Sequence, residues 1–469
     1  MNREPRLPHR LGLLLLALVA AWPAVARDDA PSARRRLERD ILQQLIGIDS
    51  THAAGSTRLA QVLRGRLLSE GYAPADVLFF EPQPGKGNLV VRLHGSGRAP
   101  PVLYLAHLDV VEARPEDWSV PPFQLTERDG EYLGRGVVDM KGEVAGLIAN
   151  LIRLRREQYR PARDLVVAFT SDEESGGTLS GAEWLLAEHR DLVTAGLVVN
   201  PDGGGGEIVG GARSSLRLQT GEKVYASFRF EATSPGGHSS LPVPGNAVYR
   251  LAAAVERLGR YEFPPRLDAT TREYFRRLAA GAEGQRAEDL RRVGAGELDP
   301  AVVARLAEEP LYNATLRTTC VATLLAAGHA EAALAQRATA TVQCRLLPAE
   351  TVEATLARLR DVVADPTVEV SVLGTPVPSP PSPLDAALLR RVEQVAQGLW
   401  PRVPVLPVMD SGSTDSYYFR LAGIPSYGIS GMFTAAGANG VHGRDERIGV
   451  EAFHEGVEFD YRLMKALTR

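Results

Sequence analysis

Cysteine is close to absent: the 469 residues hold two, Cys320 and Cys344. Export would permit a disulfide between them, and two buried thiols are the alternative; both lie in short apolar, β-rich runs, and neither choice touches the chemistry. A sustained basic stripe is missing as well. Lys and Arg number 53 against 57 Asp and Glu, a formal net charge of −4, which argues against a nucleic-acid partner. The run Arg34-Arg35-Arg36 sits beside acidic residues in a helical pattern and reads as a solvated helix face. Long apolar runs are confined to the N-terminus. Residues 11–21 follow Arg3, Arg6 and Arg10 and precede Ala24-Val25-Ala26, the layout of a cleaved secretory leader. That run is shorter than the roughly 20 residues that span a bilayer, and no cysteine follows it to carry a lipid. Residues 1–26 are therefore expected to be a signal peptide, with a mature chain that starts at Arg27, has no membrane span and is exported, periplasmic or secreted. No internal repeat is evident.

What is present is ordinary soluble-protein composition, 44% hydrophobic and 23% charged, at a length that calls for two or three domains. Helical spacing marks residues 33–49, 57–70, 141–159 and 179–189, and short apolar runs bounded by Gly and Pro mark strands at 88–93, 101–106, 164–170 and 196–200. This alternation predicts an α/β sheet flanked by helices. The pattern changes near Thr220: strands at 224–233, 315–325, 338–346 and 368–373, with helices at 246–258 and 351–363, predict a small antiparallel sheet carrying two helices. Residues 262–312, rich in Arg, Ala and Glu at helical spacing, read as an insertion. The stiff run Pro376-Val-Pro-Ser-Pro-Pro-Ser-Pro returns the chain to α/β alternation. The expected organisation is a catalytic domain in two pieces, residues 27–221 and 377–469, with a second domain inserted over 222–376.

Five dispersed clusters carry the chemistry: His107-Leu108-Asp109, Gly136-Val137-Val138-Asp139, Asp172-Glu173-Glu174, Asn200-Pro201-Asp202 and Val441-His442-Gly443. Each follows an apolar strand or sits in a Gly-rich loop, where open α/β sheets build their sites. Two imidazoles and several carboxylates suit a pair of zinc ions that must stay open to water, and two such ions need a bridging carboxylate. Asp139, between a Gly-rich turn and the 141–159 helix, is placed for the bridge. Asp109 lies two residues beyond His107 on the same side of the strand, the spacing of a carboxylate that orients an imidazole. Of Glu173 and Glu174, one is free to bind metal and the other to take a proton from bound water.

Ala106-His107-Leu-Asp109-Val-Val, Gly134-Arg-Gly-Val-Val-Asp139-Met-Lys-Gly142, Thr170-Ser-Asp-Glu173-Glu174-Ser-Gly-Gly177 and His442-Gly-Arg-Asp-Glu-Arg-Ile448 resemble the M20 metallopeptidases over almost the whole mature chain. The resemblance implies a zinc-exopeptidase-like catalytic domain plus an α+β lid or dimerisation domain. It implies one zinc on His107, Asp139 and Asp202 and another on Asp139, Glu174 and His442, with cobalt and manganese as substitutes. Glu173 would be the general base, Asp109 the orienting carboxylate, and Asp139–Met140 a cis peptide. Ser234-Pro-Gly-Gly-His238 resembles a lid motif whose His238 polarises the scissile carbonyl, often in the partner subunit of a homodimer. Arg345 resembles an arginine that receives a substrate carboxylate, Asn313 is a further polar contact, and Gly412, Ser413 and Thr414 belong to a stretch that resembles a substrate loop. Ala332 and Ala335 stand where relatives usually carry Asn and Pro. The implied activity is amide hydrolysis of short peptides by an exopeptidase of carboxypeptidase or dipeptidase type. The alternative is hydrolysis of N-acyl amino acids, for which extra helices over 262–312 would shape a larger acyl pocket; a remote alternative is an inactive exported binding protein on the same fold.

Overall fold

The computed structural model describes Met1 and residues 31–174, 180–435 and 437–469. Apart from Met1, the expected leader, together with Leu179 and the Ser175–Gly177 end of one motif, lies outside the described residues. The core is a ten-stranded mixed sheet. Its centre is parallel: Val102–His107 lies between Leu165–Thr170 and Leu197–Asn200, and Ser426–Ile429 joins the latter. Every residue of Val102–His107 and Leu165–Thr170 is buried, as strands covered by helices on both faces require. The helices Pro31–Ile46 and Val450–Thr468 pack on Lys141–Arg156, whose near-complete burial explains why apolar residues appear almost all round it. The central parallel strands have their carboxyl ends together: His107 is the last residue of one, and the turns beyond two others carry Glu173 and Asp202.

The other side of the sheet is built by the chain beyond Asp202. Gly205–Val209 and the long strand Ala212–Glu222 form a hairpin, and Val405–Asp410 adds alongside in parallel. Ala212–Glu222 then leads into Val224–Thr233 of a second, four-stranded antiparallel sheet ordered Thr319–Ala327, Arg337–Leu346, Val224–Thr233, Val368–Leu373. Burial alternates along Val224–Thr233: one face packs Phe228 and Phe230 under the helices Ala247–Arg260 and Val352–Val363. Cys320 and Cys344 face each other across paired strands and form a disulfide. The strand expected from Thr315 starts at Thr319. Thr315 and Leu316 instead close the helix Pro310–Leu316, which Pro310 opens at a position where a missing N–H costs nothing.

The inserted helices Ala269–Leu278, Gly284–Gly294, Pro300–Ala307 and Pro310–Leu316 share a core of Phe275, Leu290, Val293, Val302 and Leu306. Leu406 and Val408 of Val405–Asp410 belong to the same core, so the insertion packs on the large sheet and not only on the smaller one.

Candidate metal centre and active site

The structure brings five of the expected residues to one point. His107, Asp139 and Asp202 offer ligand atoms within 4.8 Å of one another, as do Asp139, Glu174 and His442. Asp139 is common to both groups and turns one oxygen to each: Oδ1 lies 3.0 Å from His107 Nε2 and Oδ2 lies 3.1 Å from His442 Nε2. Glu174 reaches the same His442 nitrogen at 2.9 Å. His442 and Asp172 both adopt left-handed backbone, φ 58° and 62°, a conformation uncommon for non-glycine residues, among which Asp and His are enriched. The Asp139–Met140 peptide is cis.

The electrostatics are those of crowded buried carboxylates. Burial, then the neighbouring Asp139, pushes the Asp202 carboxyl well above its usual range. Burial and Asp202 do the same to Glu173. Burial works against charge on Asp139, but hydrogen bonds with His107 and His442 overcome it and hold that carboxyl low. Hydrogen bonding to Asp139 and Glu174 lifts His442 to about 10. Neutralising so many buried anions calls for more positive charge than two imidazoles supply. Two N/O donor sets sharing a single carboxylate are the chemistry that a pair of divalent cations fits.

Asp109 works differently from its expected place beside the imidazole. Its backbone carbonyl, 3.0 Å from His107 Nδ1, sets the ring, whereas the carboxylate is 3.8 Å away. That carboxylate accepts the backbone N–H groups of Glu173 and Glu174 and so holds the turn that carries them. His238 lies elsewhere, exposed on the short strand Gly237–His238, with its Nδ1 bonded to Ser240. Half-buried Arg345 is the penultimate residue of Arg337–Leu346, its guanidinium 4.8 Å from the Tyr225 ring centroid. Asn313 sits in the last inserted helix. Gly412 and Ser413 are exposed, while Thr414 is buried and donates to Glu222 at 2.6 Å.

Three supporting residues had no assigned role in the sequence. Glu446 is fully buried, pairs with Arg135 at 2.7 Å, and accepts the N–H groups of Gly136, Val138 and Asp139. Arg135 in turn donates to Gly443 O, which joins the Asp139 turn to the His442 loop. Asp415, buried, accepts from Thr170 and Ser180 beside the cluster, and burial raises it to about 6. Glu446 and Arg135 fall inside quoted motif stretches, and Asp415 directly follows Gly412–Thr414, the one signal that pointed to them.

Such a sheet, with two metal-type donor groups at its strand ends, defines a metal-dependent hydrolase. The profile described as Peptidase family M20/M25/M40 matches residues 103–466, and the chain belongs to that family. N-fatty-acyl-amino acid synthase/hydrolase PM20D1 of Homo sapiens is 31% identical over 373 residues, 78% of this chain and 74% of the relative. The Probable carboxypeptidase S-like 2 of Dictyostelium discoideum is 26% identical over 386 residues, 78% and 71% of the two chains. The M20 family metallo-carboxypeptidase Sso-CP2 from Sulfolobus solfataricus has the same fold, with TM-score 0.67 at 17% identity over 91% of this chain and 98% of that one. The protein is accordingly an enzyme of amide-bond hydrolysis in a metal-dependent family.

Proposed function

We propose that the chain releases amino acids from N-acyl amino acids, with His107, Asp139 and Asp202 holding one zinc and Asp139, Glu174 and His442 the other. The observation that carries the catalytic assignment is Asp139 turning one oxygen to each donor group. When bound, the two cations polarise the amide carbonyl and acidify a water molecule. Glu173, whose carboxylate has no hydrogen-bonded partner among the described residues, takes the proton of the attacking water and returns it to the leaving nitrogen. Asp109 keeps Glu173 and Glu174 in place through their backbone amides. Arg345 lies over Tyr225 with no carboxylate partner among the described residues, which supports its reception of the substrate carboxylate. Asn313, Gly412, Ser413 and Thr414 complete the proposed substrate side, and His238, exposed and away from this chain's own cluster, acts on the carbonyl in the site of the second subunit of a homodimer.

The substrate class is supported by the 31% identity to an N-fatty-acyl-amino acid synthase/hydrolase. Exopeptidase action on short peptides is the second reading, favoured by the carboxypeptidase S-like relative. Amino acid released from N-acyl amino acids and from dipeptides, measured side by side, tests the choice. Release from dipeptides alone selects the second reading, and release from neither, with metal supplied, removes both.

Three further assignments belong to this reading. Residues 222–376 form the lid domain within a catalytic domain made of 27–221 and 377–469. Two lids pair in a homodimer: Val321, Leu324 and Leu325 stand exposed on the edge strand Thr319–Ala327, a surface that an unpaired edge would leave open to association. Solution mass checks it. The chain is exported after cleavage behind Ala26, which N-terminal sequencing of the mature protein checks. No helix of the described residues is long and apolar enough to cross a membrane.

A further inference from the structure

Between the inserted helices and the large sheet lies a cavity of about 1240 Å³, larger than the roughly 300–1000 Å³ of common small-molecule sites. Tyr274, Leu278, Leu290, Tyr312, Leu406 and Val408 give it apolar walls. Four of the five cations that line it already have partners, Arg402 being the exception among the described residues. Arg217 pairs with Asp410, Arg277 with Glu273 and Glu393, and Arg286 with the Tyr312 hydroxyl, while Lys223 donates to the carbonyls of Ala314 and Arg317. What remains for a ligand is therefore mainly hydrocarbon surface. The cavity follows the six-residue strand Val405–Asp410, a length of roughly 20 Å.

One end of this cavity is linked to the metal-type cluster through the Gln219 side chain and the Ser411–Asp415 segment. Asp410 and Ser411 line it, and from Ser411 the chain passes through Gly412–Thr414 to Asp415, which bonds Thr170, the residue paired with His107. Asp410 also lies 3.4 Å from the Gln219 amide. The Gln219 side chain packs so closely on Gly203 that an added Cβ there would come within 2.2 Å of its Oε1, and Gly203 directly follows Asp202.

We infer that this cavity seats the acyl chain of the substrate, a long unbranched hydrocarbon, while the amide lies at the Asp139 cluster and the amino-acid carboxylate points to the lid. The inference rests on the N-acyl amino acid reading above and assigns the helical insertion its role: it roofs the strand Val405–Asp410 to make a chamber that matches a chain in polarity and length.

The test uses the full metal-loaded chain and three substrates that differ in acyl length alone: acetyl-, octanoyl- and hexadecanoyl-leucine. Each buried methylene favours binding by up to about fourfold, so KM falls steeply from acetyl to hexadecanoyl. Ala282→Trp and Ala280→Trp fill the cavity from its helical wall, away from the proposed ligands, and two variants guard against one failing to fold. Either should raise KM for hexadecanoyl-leucine by at least about tenfold and leave acetyl-leucine unchanged. Calorimetric titration with palmitate reads the cavity without turnover and should weaken in parallel. Cleavage of all three substrates with no dependence on acyl length overturns the inference and leaves the N-acyl reading intact. So does a length dependence that both folded variants preserve. Should the wild type cleave dipeptides but no acyl-leucine, the N-acyl reading itself has failed. Palmitate binding that is lost in the variants then still supports a hydrocarbon site, and absence of binding removes it.

Discussion

At the scale of the residue, adjacent glutamates are given different work by what surrounds them. Glu174 is drawn to His442 Nε2 at 2.9 Å and shares that imidazole with Asp139. Glu173 has its backbone N–H fixed by Asp109 at 3.2 Å, while its carboxylate faces Asp202 and His107 from outside both donor groups. Glu173→Gln keeps the shape and removes the proton acceptor. Turnover should fall by about 10²–10⁴-fold, the usual worth of a positioned acid–base group, with metal content per chain unchanged. Glu174→Gln removes a charged donor from one group and should lower metal content as well as rate. Measuring kcat and bound metal on both variants separates the roles, and a Glu173→Gln enzyme within tenfold of wild type sinks the assignment.

At the scale of the element, the site depends on two irregular segments that one buried ion pair ties together. Glu446 takes three backbone N–H groups of the turn that ends at Asp139, and Arg135 reaches both Glu446 and Gly443 O. Glu446→Ala strands Arg135 and those amides in a buried place, and breaking such a pair costs about 3–5 kcal/mol. Tm should drop sharply, and Glu446→Gln, which keeps an acceptor, should recover part of the stability while binding metal more weakly than wild type. Equal metal affinity in Glu446→Gln and wild type would leave the pair a role in stability alone. On the smaller sheet, the Cys320–Cys344 disulfide encloses a sequence separation of 24 residues. Chain-entropy arithmetic gives it about 3 kcal/mol, so a double Cys→Ser variant should melt earlier in denaturant while its KM for a short substrate stays the same. Short apolar runs bounded by Gly and Pro made the central strands legible from sequence, and His107, Glu173 and Asp202 with them, because the period and the turn residues are local. The hairpin Gly205–Glu222 was not legible: glycines open it, and the polar residues within it are buried only through neighbours far away in the chain. Glu446 escaped notice for a related reason. Its partners are mostly backbone amides, which leave no mark in a sequence.

At the scale of the whole molecule, distance along the chain becomes the central fact. The cluster draws on residues from His107 to His442, so the fold must bring together segments far apart in the chain before the site exists. Sequence suggested this gathering through the ligand-type clusters at strand ends and in Gly-rich loops and through the family motifs, and it gave no hint that the insertion would dock on Val405–Asp410, because surface complementarity between distant elements has no local signature. Gathering those carboxylates is unfavourable without counter-charge: Asp202 and Glu173 are both held away from their ionised forms by burial and by other acids. Cations that bind the folded state and not the unfolded one must therefore stabilise the whole chain, by about 2.7 kcal/mol per site at a hundredfold excess over Kd. Dialysis against a chelator should abolish hydrolysis and lower Tm, and stoichiometric zinc, cobalt or manganese should restore both, with two ions bound per chain. Asp139→Asn weakens a donor common to both groups, so it should blunt the response of Tm to added metal far more than a change at Glu173. If the stripped chain melts at the same temperature and hydrolyses at the same rate as the loaded one, the cluster is not a metal centre, and the chemistry proposed for it is wrong at its root.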